Sequence, residues 1–261
     1  MQAELRIDLL IVTAMLGLRL AVTAALLPLV SGRSVPVVWR LAVAGALAFA
    51  IAPVLLPEID LTQADLSWSG LAAEALRSLI VGLTMSFVIG IPFAAVRFAG
   101  QIIGMQVGFS LVNTLDPQGG AQLSVLANVY YIVAVLLFFT SDAHHILVGA
   151  MTESCRILPI FSPLEPSAAM WLVLREFSDY FRLGLIISAP VVAVLLLVSA
   201  AMGFIVKTVP QINILIVGFP VKLAVGLAMF GLSLVLFGQV YQGLVTDMEA
   251  QLMRILTAFT A

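Results

Sequence analysis

The chain has 261 residues, of which 62% are hydrophobic and 10% charged, and its mean hydropathy is +1.16. A soluble domain carries about a quarter of its residues as charges, so this composition excludes one and describes a polytopic, all-α membrane protein. Twelve Lys and Arg scattered singly against fourteen Asp and Glu leave a net charge of −2, which excludes a nucleic-acid footprint, and the single Cys155 cannot form an internal disulfide.

The opening residues, MQAELRIDLL, lack the basic n-region and small-residue cleavage site of a removed signal peptide, so none is expected. Leu9 to Val30 is apolar and long enough to span, since ~20 residues cross a bilayer core. Arg19 interrupts it. A guanidinium at that depth is costly and has to face a partner or water, so Arg19 is expected to snorkel or to pair within a bundle, or to contact a neighbouring subunit. Ser31 to Pro36 reads as a short turn with Arg33, followed by Arg40 and a second apolar helix from Leu41 to Leu56. Pro57 to Glu74 reads as a polar connection bearing Glu58, Asp60, Asp65 and Glu74, with Trp68 at an interface. Leu76 to Phe98 is the third apolar segment. Its Gly82, Ser86 and Gly90 repeat a small-residue spacing suited to close helix packing, and Pro92 predicts a kink.

Arg97 to Gln122, RFAGQIIGMQVGFSLVNTLDPQGGAQ, resembles neither of its apolar neighbours. Gly100, Gly104 and Gly108 recur every four residues, leaving a smooth helical stripe that another backbone can approach. Beyond Ser110 the pattern fails: Asn113, Asp116, Pro117, Gly119 and Gly120 are turn and breaker residues. Irregular backbone at membrane depth is tolerated only where protein buries it or where it lines a watery cavity. At such a depth, this loop would be a functional element.

Leu123 to Thr140 is the next apolar segment, followed by the polar break SDAHH and an apolar run from Ile146 to Leu158. Ile160 to Ser167 is a proline-bearing loop, Met170 to Arg182 an amphipathic or interfacial helix, and Leu183 to Val206 a strongly apolar helix. Lys207 to Asn213, KTVPQIN, reads as a tight polar turn containing Pro210 and Gln211. Ile214 to Tyr241 is apolar again, contains Lys222, and is expected to be broken near its start by Gly218 and Pro220; Asp247 to Ala261 reads as a separate amphipathic tail. Basic residues favour the cytoplasmic side, yet Arg182 and Lys207 claim that side for both ends of one helix. The segments therefore read as hairpins in an assembly rather than as independent spans.

Little in the chain suggests enzymatic chemistry. His144 and His145 read as a loop pair rather than a metal site, because adjacent helical residues diverge by about 100° and no HExxH is present. Gly108-Phe109-Ser110 matches the G-x-S of intramembrane serine proteases, with His144 as a conceivable base, but Leu111 stands where a glycine is expected. No P-loop, dinucleotide fingerprint or zinc-type Cys/His spacing occurs, so no metal or cofactor is expected. Arg19 and Lys222 are the candidate charges for the alternative of an ion or solute transporter, but no inverted repeat accompanies them.

Two separated stretches carry a family resemblance: AVRFAGQIIGMQVGFSLVNTLDP, and PQINILIVGFP from Pro210 to Pro220. Both resemble signatures of the FliR family of the flagellar type III secretion export gate, whose relatives serve the virulence injectisome. The resemblance runs from near Met1 to the tail. It implies long kinked helices and helical hairpins packed in a hetero-oligomeric gate with FliP and FliQ, with FlhB and FlhA associated, in the bacterial inner membrane. Unfolded export substrates would pass through this gate. It implies a FliP-like part over 1–182 and a FliQ-like hairpin and tail over 183–261. It further implies that the loop at 107–122 plugs the closed pore, through Val107, Gly108, Phe109, Ser110, Leu111, Val112, Asn113, Leu115, Asp116 and Pro117. Gly100, Gly104 and Gly108 would then pack subunits together, and Lys207, Pro210, Gln211, Asn213, Gly218 and Pro220 would shape the hairpin turn.

Overall fold

The computed structural model describes residues 2–26, 36–55, 57, 67–109, 125–211 and 213–260. Among these residues the protein is all α: α1 Gln2–Leu26, α2 Val37–Leu55, α3 Trp68–Val107, α4 Val125–Thr140, α5 Ala143–Ile157, α6 Pro166–Thr208 and α7 Ile214–Ala258.

The helices are longer than the apolar runs suggest. α3 absorbs both the end of the presumed polar connection, including Glu74, and the glycine-striped stretch, giving one helix of 40 residues through Pro92. α6 joins the expected amphipathic helix at Met170 to Arg182 with the apolar run after it, over 43 residues. α7 does not break at Gly218 or Pro220, and it includes most of the tail as one helix of 45 residues. Arg40, expected to precede α2, lies inside it. Proline near the start of a helix costs little, and within spans neighbouring helices and local adjustments satisfy the freed carbonyls. At ~1.5 Å per residue these three helices measure about 60 Å or more, twice the ~30 Å hydrocarbon core.

Four helices among the described residues are long and apolar enough to cross a membrane: α2, α3, α6 and α7, with α4 and α5 counting as a fifth when taken as one broken span. α3 buries most of its apolar stretch within the chain, whereas α2, α6 and α7 leave most of theirs exposed.

The chain forms two compact units. The first comprises Met1–Ile91, Asp142–Phe177 and Thr246–Ala261. Here α2 presents Ala44, Ala48 and Ala52, spaced by four, as a buried stripe of small side chains. Gly17 on α1 lies opposite, so that a methyl added there would stand 3.6 Å from Ala48 Cβ. Val12, Leu16, Ala52, Leu55, Cys155 and Ile160 close the core beside it. The end of α7 is tied in by the Glu165 N–H, which donates to Phe259 O at 2.9 Å.

The second unit comprises Pro92–Ser141 and Ser178–Val245. Its core is aromatic. Phe93 packs edge-on against Phe138 at 5.5 Å, and Tyr130 against Phe230 at 4.7 Å and Phe237 at 5.3 Å. Edge-to-face geometry sets the positive ring edge on the negative face of its neighbour. The buried Tyr130 hydroxyl shares a 2.6 Å hydrogen bond with Ser233 Oγ, which satisfies the polar end of an otherwise apolar contact.

Candidate functional site

The stretch singled out by sequence becomes, in its described part, a helix end with defined geometry. α3 stops in a Schellman cap. Gly108 has φ +108°, the Phe109 N–H donates to Gly104 O at 3.0 Å, and the Gly108 N–H lies 3.2 Å from Met105 O. That pair of bonds satisfies carbonyls left over at a helix C-terminus, and it requires a residue without Cβ at the left-handed position. Gly108 is therefore a terminator as well as a member of the stripe. Val107, the last helical residue, is fully buried. It sits over Gly226 of α7, where an added methyl would meet Val107 Cγ2 at 2.5 Å and Leu195 Cδ2 of α6 at 3.5 Å. Phe219 lies against Gly108, its ring atoms 3.3 Å from where a Cβ would stand. The end of α3 is thus held between α6 and α7. The expected loop residues Ser110, Leu111, Val112, Asn113, Leu115, Asp116 and Pro117 lie outside the described residues.

The stripe packs within the chain. A methyl at Gly100 would overlap the Ala127 backbone of α4, so these two helices approach backbone to backbone. Gly104 is also buried. Gly184 on α6 receives the Phe98 ring in the same manner, a second notch against α3.

The expected turn is shorter than KTVPQIN. Lys207 and Thr208 belong to the last turn of α6, and the Val209 N–H donates back to Ile205 O at 2.8 Å. Pro210 and Gln211 are exposed in the turn, and Asn213 directly precedes α7, its carbonyl accepting the Val217 N–H at 3.2 Å. Within the second unit α7 folds back along α6: Gly226 meets Leu195, and residues 186–190 and 233–240 line a shared apolar groove. Gly218 is buried one turn into α7 and Pro220 is exposed in its first two turns.

One polar cluster was not anticipated. Arg19 is fully buried and donates through Nη1 to the main-chain oxygens of Ser154 at 3.2 Å and Leu158 at 2.8 Å. Its Nη2 lies 3.9 Å from Glu74 Oε1. Glu74 is buried too, and accepts from Arg77 Nη1 at 2.8 Å, Ser78 Oγ at 3.2 Å and the Phe161 N–H at 2.8 Å. The expectation that Arg19 pairs inside a bundle holds, whereas Glu74, expected in a polar connection, lies buried within α3. The missed signal is its setting, a lone acid within Leu71-Ala72-Ala73 and Ala75-Leu76, with Arg77 and Ser78 at helical spacing. Arg97 stacks its guanidinium over Tyr131 at 3.8 Å from the ring centroid, the position a cation–π contact favours.

His144 and His145 also depart from expectation. They lie in the first turn of α5, not in a loop.

Comparison with known proteins identifies the architecture. Residues 10–248 match the family model described as bacterial export proteins, family 1. A flagellar biosynthetic protein FliR of Escherichia coli (strain K12) is 33% identical over 212 residues, covering 81% of this chain and 80% of that one. The FliR of Bacillus subtilis (strain 168) is 31% identical over 226 residues, 85% of this chain and 86% of its own. The FliR of Caulobacter vibrioides is 24% identical over 246 residues, 94% and 96% of the two chains. With the match running from α1 into the last turns of α7, the chain belongs to the FliR family of bacterial export proteins.

Proposed function

We propose that this chain is a structural, non-enzymatic, pore-forming subunit of the flagellar type III protein export gate in the cell inner membrane. It assembles with FliP and FliQ, adjoins FlhB and FlhA, and passes unfolded flagellar substrates. The observation that carries this reading is the family match over nearly the whole chain. The helix lengths support it: helices of about 60 Å exceed what a bilayer accommodates, as expected for a subunit drawn partly out of the membrane plane in a complex. The transporter alternative loses one of its candidate charges, because Arg19 is engaged by main-chain oxygens inside the bundle. In this reading 1–182 is FliP-like and 183–261 is the FliQ-like hairpin turning at Pro210.

The loop at 107–122 is the plug. Support for this comes from its anchor: Val107 seated at Gly226 and the cap at Gly108 give it a fixed root, and apolar residues such as Phe109, Leu111, Val112 and Leu115 suit a seal that excludes water. Deleting part of Asn113 to Gly120 should leave the complex recoverable but raise its conductance to small ions in planar bilayers. An assembled deletion complex as tight as the unmodified one would remove the plug assignment.

A further inference from the structure

The corner between α4 and α5 brings together the chain's only two histidines and an aspartate. Side chains at consecutive helical positions diverge by about 100°. The rings of His144 and His145 nevertheless lie side by side, with centroids 4.2 Å apart and planes 36° from parallel. Asp142 precedes them at the N-cap of α5, where an aspartate ordinarily accepts a hydrogen bond from the first-turn N–H groups. Here it makes no such bond and its backbone is left-handed, at φ 54° and ψ 21°. Non-glycine residues adopt that conformation at a cost. Its carboxylate is turned instead toward the imidazole, with Oδ1 3.8 Å from His145 Nδ1. One ligand atom from each of the three residues falls within 4.8 Å of the others. The Asp142 and His145 side chains are about three-quarters exposed.

We infer that Asp142, His144 and His145 form a surface site for a borderline transition-metal ion, of which Zn²⁺ is the representative. Two imidazoles and one carboxylate are the donor set such ions take, whereas Mg²⁺ and Ca²⁺ prefer all-oxygen shells. Bonds of about 2.0–2.1 Å to nitrogen require the donors to draw closer, and because two of the three side chains are exposed, torsion of those side chains is enough. Three protein donors leave a fourth position to water. The positive end of the α5 dipole opposes a cation, and the Asp142 charge offsets it, so the affinity is modest. A bound ion would join the residue before α5 to its first turn.

The test uses the complex purified without a histidine tag and stripped with chelator. Zn²⁺ alone is titrated calorimetrically into the wild type and into the H144A/H145A double variant, with Mg²⁺ as the comparison ion. The wild type should take up one more Zn²⁺ per chain than the double variant, and Asp142→Asn should weaken that event by ~10-fold or more. Equal zinc uptake by wild type and double variant overturns the site, as does equal heat from Mg²⁺. If the double variant fails to yield complex, His145→Gln replaces it; unchanged zinc affinity in that variant has the same force.

Discussion

Replacing Glu74 with alanine is expected to destabilise the first unit by about 3–5 kcal/mol, the range for removing one partner of a buried ion pair. Arg19 would keep its two main-chain acceptors, but its charge would lose the nearby carboxylate. The Phe161 N–H and Ser78 hydroxyl would lose their acceptor as well. Glu74→Gln should fall between, because the amide keeps an acceptor oxygen and the shape but not the charge. Thermal unfolding of the detergent-solubilised protein reads the difference. A Glu74→Ala protein as stable as the wild type would mean that Arg19 is adequately served by carbonyls alone. The reverse change, Arg19→Ala, leaves a smaller residual demand, because Arg77 still meets the carboxylate at 2.8 Å.

The second large effect is expected at Gly100. A methyl there overlaps the main chain of Ala127, which cannot swing aside as a flexible side chain can. Overpacking of this kind costs about 1–3 kcal/mol for a small addition and more when backbone has to move. Gly100→Ala should lower the unfolding midpoint clearly, and Gly100→Leu should prevent recovery of folded protein. Gly149 on α5 is the matched control: nothing lies within 4 Å of an added methyl, so Gly149→Ala should be neutral or gain up to about 1 kcal/mol from helix propensity. Equal behaviour of Gly100→Ala and Gly149→Ala would show that α3 and α4 can part without cost.

The class of fold was legible because hydropathy is summed over long segments and tolerates local error. Helix ends were less so. Pro220 and Gly218 look like breakers in isolation, yet α7 runs through both, because tertiary packing supplies what local propensity withholds. Charge misled in the same manner: Glu74 among Glu58, Asp60 and Asp65 suggests a solvated connection, and only its apolar flanks mark it as interior. At the candidate site, the spacing of Gly100, Gly104 and Gly108 disclosed a close helix contact but not its partner. Ala127 completes it for Gly100, and alanine carries no pattern that distinguishes a contact from filler. The cap at Gly108 follows from a glycine ahead of a breaker-rich run, whereas the notch at Gly226 lies over a hundred residues away and has no local signature.

The Arg19 cluster also imposes an order in time. Arg19 emerges from the ribosome first, and its acceptors at Ser154 and Leu158 follow 135 and 139 residues later. At a synthesis rate of about 5–20 residues per second, the guanidinium waits on the order of 10 s before its binding place exists. Glu74 emerges earlier but stands 3.9 Å from one guanidinium nitrogen; without the two carbonyls the arginine is still costly in hydrocarbon, so the first helix has to remain near water or the insertion machinery until α5 has been made. A chain truncated before Ala143 should therefore leave α1 extractable or open to protease, while one extended past Leu158 should integrate it. Early protection of α1 in the short chain would show that the membrane, rather than the later helices, receives the arginine.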